Sequence, residues 1–105
     1  MTYKVIKDIR AETEIEEFAR YAADYSDDWA REQFARLNYV FTVTLAESPI
    51  TWNEFYVTGL PNRGYFFRAG RRTGYWIVYT VDDDAKIVKV LRFWNASKEG
   101  ASFAL

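Results

Sequence analysis

Four arginines, Arg63, Arg68, Arg71 and Arg72, fall in a stretch, residues 63–72, that carries no acid. A guanidinium is a planar fork of N–H donors, so it grips a phosphate or a carboxylate at two points. Gly70 and Gly74 flank the last pair and let a partner approach the backbone closely. The surface they suggest would dock an acidic protein segment, a protein target or RNA; the same residues also read as an ordinary solvated hairpin turn. Tyr75, Trp76 and Tyr79 follow at once. On a strand, Tyr75 and Tyr79 share one face and Trp76 takes the other. Aromatics beside arginines can stack nucleic-acid bases; packing beneath helices is the plainer reading. Arg92 shares a strand face with Trp94 and is expected to pair with an acid, either in residues 82–84 or in the first helix.

Other chemistries are closed. The chain has no His and no Cys. It therefore lacks the commonest neutral-pH base, thiolate metal ligands and disulfides. Catalysis would fall to Arg, Lys, Tyr, Asp or Glu. Asp82, Asp83 and Asp84 are adjacent, whereas a Ca²⁺ loop needs more ligands at wider spacing; they read as turn residues. Glu14, Glu16 and Glu17 do not all share one helix face and read as a capped, solvated helix start. No metal and no cofactor is expected. The net charge of −1 hides an uneven spread. Acid gathers over residues 12–32 and base over 63–72, so a near-neutral chain can still hold a basic face. No apolar run approaches the roughly 20 residues of a membrane span. The N-terminus lacks the apolar stretch of a signal peptide. The expected compartment is the cytoplasm.

The elements that must position these groups follow from periodicity. At 105 residues, half of them hydrophobic, one domain spanning 1–105 with a real core is expected. Residues 2–9 alternate as a short strand, with Lys4 and Lys7 suited to a sheet edge. Thr13 and Glu16 fit a capping box. Ile15, Phe18, Ala19, Ala22 and Tyr25 then recur at helical spacing, giving a helix over about 13–25. A three-residue hinge, Ser26-Asp27-Asp28, caps a second helix whose stripe is Ala30, Phe34, Leu37, Phe41 and Leu45, ending near Ser48-Pro49. Residues 48–64 read as a loop, with Trp52, Phe55 and Tyr56 folded back on the core. Strands are expected at 65–68, 75–81 and 86–94, as an antiparallel meander with the middle one central. Asn95 to Leu105 is expected to form a short helix or an extended arm. The expected fold is α+β, with a helical hairpin on one face of a single sheet.

That order, and the run Gly74-Tyr75-Trp76-Ile77-Val78-Tyr79-Thr80-Val81-Asp82-Asp83-Asp84 followed by Ile87 to Asn95, resembles the RelE/ParE toxin superfamily. The detailed likeness covers about residues 65–98; the rest matches in element order alone. The resemblance implies a toxin of a type II toxin–antitoxin module of the plasmid-stabilisation kind, held by a small cognate antitoxin in a groove of helices and sheet. Phe103 and Leu105 of the apolar tail either fill part of that groove or pack on the core. The RelE branch cleaves mRNA on the ribosome with basic residues, which here would be Arg68, Arg71, Arg72 and Lys98. However, where that branch carries an Arg after the Gly-Tyr pair this chain has Trp76, and Lys98 is the one base in the segment 95–99 after the last strand. The ParE branch acts on DNA gyrase and needs no such set. The chain is thus expected to be ParE-like, binding antitoxin or target through Arg63, Arg68, Arg71, Arg72, Tyr75, Arg92, Trp94 and Phe103. A non-toxic α+β binding module remains the third expectation, favoured by the acidic balance.

Overall fold

The computed structural model describes residues 2–52, 54–57, 60–69 and 73–96. Strand β1 (Lys4–Lys7) leads into helix α1 (Ile9–Tyr25) and helix α2 (Asp27–Tyr39). Four strands follow, β2 (Glu54–Val57), β3 (Leu60–Arg68), β4 (Gly74–Asp82) and β5 (Ile87–Asn95). They form one sheet in the order β1-β5-β4-β3-β2. The meander β3–β4–β5 is antiparallel throughout, and β4 lies at its centre as expected. β1 joins at the edge, parallel to β5, from Lys4 opposite Ile87 to Lys7 opposite Val90. A parallel first and last strand needs a long crossover, which the helices provide.

Several boundaries differ from the sequence reading. α1 begins earlier, at Ile9, with Asp8 as its cap, and the Asp8 carboxylate accepts from the Arg10 N–H at 3.0 Å. Thr13 is interior, and its hydroxyl donates to the Ile9 carbonyl at 2.9 Å. Asp caps a helix as well as Thr does. Here Asp8 stands where β1 ends, its own N–H donating to the Val90 carbonyl at 2.8 Å. The hinge between the helices is Ser26 alone. Its N–H closes α1 on Ala22 and its hydroxyl accepts from the Trp29 N–H, while Asp27 and Asp28 form the first turn of α2. Beyond α2 the chain stays helical through a π-turn, Val40–Thr44, and a last turn, Leu45–Glu47. The stretch read as a loop holds β2 and the first residues of β3, an extra hairpin. Its Pro61 sits one residue inside a strand start, a place where a missing N–H is tolerated.

The core lies between the helices and the inward face of the sheet. Phe18 is its hub. Its ring meets Tyr75 at 5.0 Å, Phe93 at 5.6 Å, Phe34 at 5.7 Å and Phe67 at 6.3 Å between centroids. Leu37, Phe41 and Leu45 of the expected stripe are buried, and Ala30 and Phe34 pack against them. Tyr75, Ile77 and Tyr79 of β4 face this core, so the packing reading holds for both tyrosines. The Tyr79 hydroxyl, fully buried, donates to the Pro49 carbonyl and ties the helix exit to the central strand. Trp52 folds back as expected, edge-on to Tyr65 at 4.7 Å; the Phe55 and Tyr56 side chains lie outside the described residues. At the opposite end, Asp83 accepts from both the Tyr3 hydroxyl and the Lys86 ammonium, clasping the N-terminus to the β4–β5 turn. The acids of this turn thus serve local structure, with the Asp82 carboxylate accepting from the Ala85 N–H.

Gly74 leaves room for an aromatic. A Cβ there would stand 2.2 Å from Cζ of Phe66, whose ring crosses from β3 and meets Trp76 edge-on at 4.9 Å. Phe66 is partly exposed, so its ring can swing away from a methyl group at the loss of that contact. Gly74→Ala should therefore lower unfolding stability in urea by about 1–3 kcal/mol, as overpacking does, with a changed Trp fluorescence in the native state.

Candidate functional site

The predicted residues do not make one cluster. Arg63 is half-buried, and its Nη1 donates to the Trp52 carbonyl at 2.8 Å, where it holds the entry to the β2–β3 hairpin. Arg68 is exposed at the end of β3, its guanidinium 5.5 Å from the Phe66 ring centre. Tyr75 is buried in the core. Trp94 is half-buried on the outer face, opposite Trp76, with the Arg92 guanidinium 4.5 Å from its ring centre. Arg71, Arg72, Lys98 and Phe103 lie outside the described residues, as does the expected tail element.

Arg92 has the best-defined surroundings. A β-bulge in β5 precedes it, since Val90 faces Tyr79 but Arg92 faces Val78. The extra residue, Leu91, shifts the strand's parity. Val90 and Phe93 both reach the core, and Arg92 is turned to the outer face with Trp94. From there its side chain meets Glu14 of α1, Nε to Oε1 at 2.9 Å and Nη2 to Oε2 at 2.7 Å. The same Oε1 accepts from the backbone N–H of Phe93 at 3.0 Å. Of the two acids expected for Arg92, the first helix supplies the one used. Glu14 is thus no solvated helix-start residue. It is mostly buried, and it fills the hydrogen-bonding edge of β5 just past the point where β1 stops pairing. Spacing cannot show this, because the contact spans 78 residues of chain.

Two concavities flank the helix–sheet seam. The first, about 510 Å³, lies between α2 and β3 and is lined by Arg36, Tyr39, Val40, Tyr65, Phe67 and Arg68 among others. Arg36, absent from the sequence-based set, places its guanidinium 5.1 Å from the Phe67 ring centre. Among the described residues its lining holds two arginines and no carboxylate. The sole sequence signal for Arg36 was its place next to Leu37 on an amphipathic helix. The second concavity, about 390 Å³, lies between α1 and the neighbouring ends of β4 and β5, lined by Glu14, Glu17, Phe18, Tyr21, Thr73, Tyr75, Phe93 and Asn95. Burial, with Tyr21 and Glu17 nearby, pushes the Tyr75 phenol above its ordinary range. Burial does the same for Tyr79 against the opposing charge of Arg63. Neither phenol is a proton acceptor near neutral pH. Among the described residues no three His, Cys, Asp or Glu converge as a metal site, and no helix is long and apolar enough to cross a membrane.

A family model for the ParE toxin of the type II toxin–antitoxin system, parDE, matches residues 5–100. No curated protein matches the chain.

Removing one partner of a buried ion pair leaves the other charge uncompensated. Glu14→Ala should cost about 3–5 kcal/mol in urea unfolding. Replacing both partners, Glu14→Leu with Arg92→Met, should cost less than the sum of the single changes. Equal stability of wild type and Glu14→Ala would show that the pair holds nothing together.

Proposed function

Because the chain belongs to the family of ParE toxins of type II toxin–antitoxin systems, we propose that it arrests growth by binding a protein target, DNA gyrase, rather than by cutting RNA. The observation that carries this reading is Trp76 in place of the arginine that a ribosome-dependent RNase would carry after the Gly-Tyr pair; the engagement of Arg92 withdraws one more cation from RNA. Its guanidinium is held by the Glu14 carboxylate, and the residue is 6% exposed. A phosphate would have to displace a carboxylate that also holds the Phe93 N–H. The chain also has no His to protonate a leaving oxygen. The β4 tyrosines face inward, with phenols held protonated.

A toxin of this family is paired with an antitoxin. On our reading the cognate antitoxin brings an acidic, amphipathic segment to the α2–β3 groove, where Arg36 and Arg68 flank apolar and aromatic walls. Arg68 is the member of the expected binding set best placed for this. The protein works as one domain in the cytoplasm, where both partners would meet it, and the pair would stabilise a plasmid carrying it.

Expression of this chain alone should slow growth, and co-expression with the small neighbouring gene should restore it. Purified toxin should inhibit gyrase supercoiling and leave mRNA in translating ribosomes intact. Arg68→Glu should weaken the antitoxin complex by about tenfold or more, through one reversed charge contact. Cut mRNA in the ribosomal A site, with gyrase unaffected, would replace this reading with the endonuclease one. Unimpaired growth at high expression would instead favour a non-toxic binding module.

A further inference from the structure

We propose that the concavity between α1 and the ends of β4 and β5 is a receptor for one cationic side chain, the guanidinium or ammonium group of an arginine or lysine on a protein partner. Its walls are aromatic. Tyr75 and Phe93 stack at 4.3 Å with 11° between ring planes, and Phe18 closes the floor 5.0 Å from Tyr75. Such rings accept both the methylene stem and the charged head of a basic side chain. Its rim is rich in acceptors, with the Glu17 carboxylate, the hydroxyls of Tyr21 and Thr73, and Asn95.

Two groups carry the assignment. Tyr75 is 7% exposed, yet its hydroxyl makes no hydrogen bond among the described residues, although it lines the cavity. Tyr21 and Glu17, which raise its pKa after burial does, line the same cavity. A donor entering from the mouth can supply the hydrogen bond that the Tyr75 hydroxyl does not make within the described residues. Glu17 makes no ion pair among the described residues and faces the same space. Glu14 differs, because Arg92 neutralises it from the far side. Arg92 lines the shallow surface over Ile9, Arg10 and Thr13, not this cavity. Among the described residues no Lys or Arg lines the cavity, so these residues set one carboxylate, that of Glu17, beside an aromatic floor. An acidic ligand would be repelled, and a purely apolar one would leave the Tyr75 hydroxyl unsatisfied. The sign is opposite to that of the α2–β3 groove, so this site is separate from the antitoxin groove assigned above and does not rest on that reading.

The test uses the isotope-labelled full chain titrated with N-acetyl-arginine N-methylamide, with the norleucine analogue as an uncharged control of similar stem. Amide resonances of Glu17, Tyr21, Thr73, Tyr75 and Asn95 should shift together and saturate. Glu17→Gln, which alters an exposed side chain, should weaken arginine binding by about tenfold, the size of one charge-assisted contact. Tyr75→Phe keeps the stacked ring and should weaken it by about threefold, as a neutral hydrogen bond does. Norleucine binding as well as arginine would overturn the proposal in favour of an apolar slot. Shifts unchanged in Glu17→Gln, or no saturable shift at all, would also overturn it. Gyrase inhibition with no arginine binding would sink this site alone, and arginine binding without toxicity would sink the toxin reading alone.

Discussion

β1 is four residues long and β5 is nine, so the edge of β5 outruns the strand that pairs with it. An unpaired strand edge is a row of exposed N–H and C=O groups, and it invites another chain to add to the sheet. Here the helix that follows β1 deals with the excess. α1 carries Glu14 past the last pairing, and its carboxylate takes the Phe93 N–H and the Arg92 guanidinium together. One side chain thus finishes the sheet, neutralises a buried cation and fixes the distance between α1 and β5. The bulge at Leu91 belongs to the same arrangement, since without it Arg92 would face the apolar core.

The hub at Phe18 follows from that anchorage. It stands one helical turn beyond Glu14 on the same side of α1, so once Glu14 is seated Phe18 must enter the space over β4 and β5. Its contacts with Phe34, Phe67, Tyr75 and Phe93 join both helices to three strands. Aromatic rings packed at edge and tilted angles fill a small core with few atoms of conformational freedom. The tie from the Tyr79 hydroxyl to Pro49 then fixes the far end of the second helical segment, after its π-turn has changed the winding.

Two of the openings along the seam between helices and sheet differ in the charge of their described lining residues. The α2–β3 side carries Arg36 and Arg68, whereas the α1 side carries Glu17 beside a neutralised Glu14. A protein of net charge −1 therefore presents a basic groove and an acidic one on the same seam. For a toxin paired with an antitoxin, two surfaces of opposite charge give a basis for distinguishing that partner from others.

Much of this was legible in the chain alone. Period-2 and period-3.6 patterns gave the meander, the helical stripe and its burial, and the edge character of β1, because each depends on neighbours a few residues apart. The string from Gly74 to Asn95 and the order of elements pointed to the toxin family for the same local reason. The capping box at Thr13 misled because Asp8, an equally good cap, lay where the strand's hydrogen bonds ran out. The β2–β3 hairpin was hidden by Pro61 and Gly59, which read as breakers and not as an edge. What the tertiary structure alone decided was which charges are available. Glu14 read as solvated, and Arg92 was expected to pair with an acid of residues 82–84 or of the first helix; the choice of Glu14 came only when the fold brought the two together across 78 residues of chain. Arg36 and Arg68, far apart in sequence, share a groove by the same means. Local propensity is written in adjacent residues. The pairing of distant charges depends on a bulge, a short edge strand and a helix entry angle acting together, and no short window of sequence contains all three.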